Sequence, residues 1–157
     1  MYSLRFNPPA GGIALYGLRR AWRHLELAFN EPTNLEARTQ MLSASLQGAL
    51  AFQKGLGCVH SLSHSLGGID PRLHHGTLNA VLLPAVVAFN RSAESVIRDE
   101  KLERLAQAME LPPRLSVEQA LAHKAEALRL PTGLAQMGVD RGLIPRIVTG
   151  ALADHSH

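Results

Sequence analysis

The chain has 157 residues, 46% of them hydrophobic and 18% charged, enough length and apolar content for one folded domain with its own core, and the wrong balance for a disordered chain. Aromatic residues make up only 4%, so the core has to be built from Leu, Ala and Val. A formal net charge of +3, with arginines scattered from Arg5 to Arg146, describes a solvated helical surface and not the clustered basic face of a nucleic-acid binder.

Residues 1–12 read as irregular, because Asn7-Pro8-Pro9 and Gly11-Gly12 both work against regular structure. From residue 14 to 29, Leu15, Leu18, Trp22, Leu25 and Phe29 recur every three or four positions, one apolar stripe of an amphipathic helix. Asn34 is placed to cap a second helix over residues 35–54. The small residues at its middle predict a central position with close neighbours. Gly55 and Gly57 break it. A short helix over 60–66 follows, stopped by Gly67-Gly68 and a turn through Asp70-Pro71. The next runs over 76–90, with Pro84 inside it as a kink or a join. Residues 92–109 predict one exposed helix. Ser116-x-x-Gln119 opens another to residue 128 as a capping box. A turn at 130–133 precedes a last helix over 141–154, with Ile144, Ile147, Val148, Ala151 and Leu152 facing inward. No alternating strand pattern is present, so the fold class is all-α, with roughly seven helices.

Cys58 is the single cysteine, so no disulfide and no multi-thiolate zinc site can be built from this chain alone. Between Gly57 and Val59 it reads as a small buried packing residue. The N-terminus lacks the basic-then-apolar layout of a signal peptide. The longest apolar run, residues 80–89, is too short to span a bilayer. These features predict a soluble, cytoplasmic chain with neither nucleic acid nor membrane as partner.

Four of the eight histidines, His60, His64, His74 and His75, fall within sixteen residues. On a helix, His60 and His64 project from one face about 6 Å apart along the axis. His75 opens the following helix and can return to the same centre through the intervening turn. Imidazoles in this pattern suit Fe(II) or Zn(II), provided their lone pairs are free. A pair at i,i+4 also arises by chance, so spacing alone gives a candidate site and no reaction. His74 and His75 are adjacent and cannot point the same way, which makes one of them structural or solvent-facing. His24 and His123 lie among charged helical positions and read as surface residues, while His155 and His157 end the chain.

The residues Gly57-Cys58-Val59-His60-Ser61-Leu62-Ser63-His64-Ser65-Leu66-Gly67-Gly68, then His75-Gly76-Thr77-Leu78-Asn79-Ala80 and Leu83-Pro84, carry a family pattern. They resemble the C-terminal helical domain of the iron-containing (group III) alcohol dehydrogenases, a multi-helix bundle of dehydroquinate synthase-like fold. The resemblance implies that His60 and His75 bind a catalytic divalent metal, Fe2+ before Zn2+. It implies that His64 is a further active-site residue assisting cofactor placement or proton transfer. The reaction implied is hydride transfer between a small alcohol or aldehyde and NAD or NADP, with room for a homo-oligomer.

Two departures from the family pattern matter. Leu73-His74-His75-Gly76 stands where the family has Pro-His-Gly, so His74 rivals His75, and His75 is preferred because it keeps the His-Gly register. The family's other two ligands come from an Asp-x-x-x-His motif, and none precedes His60. No Gly-rich nucleotide-binding motif is present either, and the sequence stops at Asp154-His155-Ser156-His157, where the family continues toward Thr-Asn-Pro-Arg. Residues 1–157 are therefore expected to be a single helical metal-binding domain of a two-domain enzyme, inactive alone, with the NAD(P)-binding α/β domain absent. The contrasting expectation is a non-catalytic metal- or partner-binding module, in which His64, Asp70 or His74 would complete the coordination. Maleylacetate reductase or glycerol dehydrogenase chemistry is the related enzymatic alternative.

Overall fold

The computed structural model describes residues 7–52 and 55–156, and every regular element among them is helical. Helix α1 (Pro8–Asn30) begins earlier than expected. The Asn7 side chain accepts from Ala10 N at 3.1 Å, and the two prolines fill the first turn, where a missing N–H costs nothing. The Asn-Pro-Pro run is thus a start signal and not a breaker; the remainder of the expected irregular stretch, residues 1–6, lies outside the described residues. Helix α2 (Leu35–Ala51) starts where expected, with the Asn34 side chain accepting from Ala37 N at 3.0 Å. Residues 53–54, the end of its expected span, also lie outside the described residues.

The described residues fall into two compact units. In the first, α1 and α2 pack as a hairpin. A Cβ on Gly17 would come within 3.0 Å of Gln47 Cβ and 3.3 Å of Ala44 O, so the absence of a side chain there is what lets the helices approach. Helix α2 does not sit centrally. Its small residues Ala37 and Ala44 are buried, whereas Leu35, Leu42 and Leu46 are 79%, 73% and 63% exposed. The single helix expected over 92–109 is two, α5 (Glu94–Arg98) and α6 (Lys101–Ala108). The break falls at Glu100, whose φ of 48° is left-handed. Arg19 and Arg23 of α1 both donate to the Glu110 carboxylate, Arg19 Nη2 at 2.7 Å.

The second unit holds α3 (Cys58–Ile69), α4 (His75–Asn90), most of α7 (Val117–Ala127) and α8 (Ile144–Ala153), with 3-10 turns at Leu134–Met137 and Arg141–Leu143. Eight α-helices are therefore present among the described residues, against roughly seven expected. Helix α3 runs through Gly67 and Gly68 instead of stopping there, and Asp70 N donates to Leu66 O at 2.9 Å. Both glycines lie in the last turn of α3, and each costs at most about 1 kcal/mol relative to alanine. Burying Leu66 and packing Ile69 on the same core outweighs this, since a fully buried leucine contributes about 2–3 kcal/mol. Helix α4 continues through Pro84 as one element.

Leu66, Leu78 and Ile147 form the centre of this core, flanked by Leu62, Leu82 and Met137. Helix α8 meets α3 closely: Ser65 Oγ donates to Ile147 O at 2.9 Å, and Gly150 sits over Ser65, where a Cβ would lie 3.2 Å from Ser65 Cβ. Only Ile147 and Ala151 of the expected inward set are buried; Ile144, Val148 and Leu152 are exposed, because contact with α3 covers one narrow strip of α8. Cys58 is half-buried, not buried. No helix among the described residues is long and apolar enough to cross a membrane.

A candidate metal centre of converging imidazoles

Helical spacing delivers the first two rings. His60 and His64, one turn apart on α3, have ring centroids 5.8 Å apart. The third ring depends on the connection. Asp70 Oδ1 accepts from Arg72 N at 3.0 Å and from Arg72 Nε at 2.9 Å, while Oδ2 accepts from Arg72 Nη2 at 2.8 Å. The Arg72 guanidinium is the chief reason the Asp70 carboxyl is pushed down to about 2. This folded turn leads into α4 with His74 and His75 diverging. Thr77 N donates to His74 Nδ1 at 3.3 Å, so His74 caps α4. His75 instead brings its ring 5.5 Å from His60 and 5.4 Å from His64.

The hydrogen bonds set the character of these rings. Burial, with His75 and His64 adding to it, lowers the His60 pKa and leaves the ring neutral at neutral pH, as a ligand must be. Ser63 Oγ donates to His60 O at 3.1 Å, so its contact of 3.4 Å with His75 Nδ1 has the imidazole as donor. His75 Nε2 then accepts from Asn79 Nδ2 at 3.0 Å, a hydrogen bond that a cation on that nitrogen has to displace. Asn79 Oδ1 is buried without a partner among the described residues, which marks the place as polar rather than greasy packing.

Two imidazoles bound to one cation at about 2.1 Å have ring centres roughly 5 Å apart, and the observed spacings of 5.4 to 5.8 Å are a little wider. Among the described residues, no three His, Cys, Asp or Glu side chains close tightly enough to hold a cation by themselves. In chemistry the donors fit a borderline divalent ion; in number they make part of a coordination sphere.

Two neighbours escape a reading of local sequence. Asp154, just after α8, has Oδ2 3.0 Å from His64 Nδ1. The exposed His155 ring stacks on His64 with centroids 6.1 Å apart. Both lie about ninety positions from their partner, with only their place at the chain end as a signal.

Fold and site together define an all-helical chain in which two consecutive helices bring three imidazoles to one place. The chain belongs to the Fe-containing alcohol dehydrogenase family and matches its C-terminal region over residues 2–157. It is 56% identical to 4-hydroxybutyrate dehydrogenase of Cupriavidus necator over 156 residues, covering 97% of this chain and 41% of that protein. Its identity to 1,3-propanediol dehydrogenase of Citrobacter freundii is 34% over 157 residues, covering 94% and 39%. Among solved structures, a 1,3-propanediol oxidoreductase matches with a TM-score of 0.88 at 31% identity, covering 98% of this chain and 41% of that one. The chain spans about two fifths of the length of these relatives. The family resemblance and the all-helical class read from the sequence are both correct.

Proposed function

We propose that residues 1–157 form the metal-binding domain of an NAD(P)-dependent dehydrogenase that interconverts a small primary alcohol and its aldehyde. A nucleotide-binding domain outside these residues completes it. The observation that supports this most is the meeting of His60, His64 and His75 at 5.4 to 5.8 Å. His60 and His75 hold the divalent cation, Fe2+ first and Zn2+ second. When bound, that cation supplies a Lewis acid favouring the alkoxide form of the substrate. His60 stays unprotonated through burial, and Ser63 orients His75 through its Nδ1–H. His64, the remaining ring, accepts the alcohol proton or orders the nicotinamide. The likeness to 4-hydroxybutyrate dehydrogenase makes a hydroxy acid the first substrate to try.

The alternative of a non-catalytic module has less support. Asp70 is occupied by Arg72 and His74 by the α4 cap, so two of the three extra donors it could draw on are engaged and only His64 is left. The test fuses this chain to the nucleotide-binding domain of a family relative and assays NAD(P)H formation with 4-hydroxybutyrate. Chelation is expected to abolish turnover and Fe2+ or Zn2+ to restore it. Turnover indifferent to metal overturns the proposal.

A further inference from the structure

We infer that Asp154 is a positioning residue for His64, fixing Nδ1 as the nitrogen that carries the proton and leaving Nε2 as the ring's acceptor. For its meaning in catalysis this rests on the dehydrogenase reading above; the contact itself does not.

The carboxylate is fixed at both ends. Oδ2 faces His64 Nδ1 at 3.0 Å, and Oδ1 accepts from Ser156 N at 2.7 Å. That backbone N–H is the main reason the Asp154 carboxyl is held down at about 2. An ionised carboxylate has no proton to offer, so the shared hydrogen belongs to the imidazole. The segment around Asp154 is itself anchored. Ser156 is buried, and its carbonyl accepts from Gly57 N at 2.8 Å, at the residue that opens α3. Two turns upstream of Asp154, Ser65 Oγ donates to Ile147 O. The helix bearing His64 is therefore tied to the chain end on both sides of that ring. His155 Nδ1 lies 3.8 Å from Oδ1, too far to compete for it. Carboxylates that hold the far nitrogen of an active-site imidazole fix its tautomer and orientation in just this arrangement.

The test records two-bond 1H–15N spectra of the imidazoles in the 15N-labelled chain at a pH raised until the His64 signals no longer change. Wild type should show His64 protonated at Nδ1 and bare at Nε2. In Asp154→Asn the one amide oxygen stays with Ser156 N–H and the NH2 faces His64, so the pattern should switch to Nε2–H. In Asp154→Ala the ring should revert to the Nε2–H majority of free imidazole, with helical circular dichroism retained in both. Nε2–H in wild type, or an unchanged Nδ1–H in a folded variant, overturns the assignment; should both variants fail to fold, the wild-type pattern alone decides. The readout needs neither metal nor turnover. Its failure is thus separate from failure of the dehydrogenase reading, which falls if metal binding survives loss of His60 and His75.

Discussion

At the scale of single residues, His60 and His75 stand 5.5 Å apart across a turn held shut by Asp70 and Arg72. In the fused enzyme, His60→Ala and His75→Ala are each expected to lose the metal and turnover together while keeping helical circular dichroism; normal turnover in either removes the metal role. His64→Ala is expected to keep the metal, seen by elemental analysis, and to lower kcat by about 100-fold, the usual scale for a positioned proton-transfer group. Loss of the metal would show that His64 is a ligand. Asp154 adds an acid-sensitive contribution. Its folded value, about 2, lies below its ordinary 3.8, so the unfolded chain binds more protons in that interval. The stabilisation is full above the ordinary value and fades as pH falls through the folded one. Urea unfolding across this window should show a steeper loss for wild type than for Asp154→Asn, and parallel curves would refute the assignment.

At the scale of elements, glycine marks the close contacts while the leucines pack the core. Gly150 brings α8 onto α3 beside Ser65, and an added methyl would meet Ser65 Oγ and stand 3.2 Å from Ser65 Cβ. The hydroxyl can swing aside only by giving up its bond to Ile147 O. Gly150→Ala should therefore cost about 1–2 kcal/mol in chemical denaturation, despite alanine's better helix propensity. A stabilised variant would mean that the two helices separate freely. Gly67 and Gly68 carry no such contact, and α3 continues past the stop they predict because it is held by its buried face and not by propensity.

At the scale of the whole molecule, α2 turns Leu35, Leu42, Leu46 and Leu50 to the outside. Replacing Leu42 and Leu46 together with Gln removes little buried area, so the thermal midpoint should move by no more than the equivalent of about 0.5 kcal/mol for each substitution. A loss of several kcal/mol would show that these leucines are covered in the folded chain. The three imidazoles fall short of a closed coordination sphere among the described residues, and the chain spans about two fifths of its relatives' length. Both agree with a site completed by groups from outside these residues.

Residue order alone determined the helical class, the Asn34 cap, the pairing of His60 with His64 and, through the His-Gly-x-x-Asn-Ala pattern, the family. All of these are local in sequence, set by helical periodicity, cap chemistry and short motifs. The choice between His74 and His75 could be read only as a register preference; the structure brings His75 to the other rings and uses His74 to cap α4. Asp154 beside His64, the outward leucines of α2 and the passage of α3 through two glycines were decided by tertiary structure. Each depends on which distant surface a side chain meets, and contacts spanning some ninety residues leave no trace in local spacing.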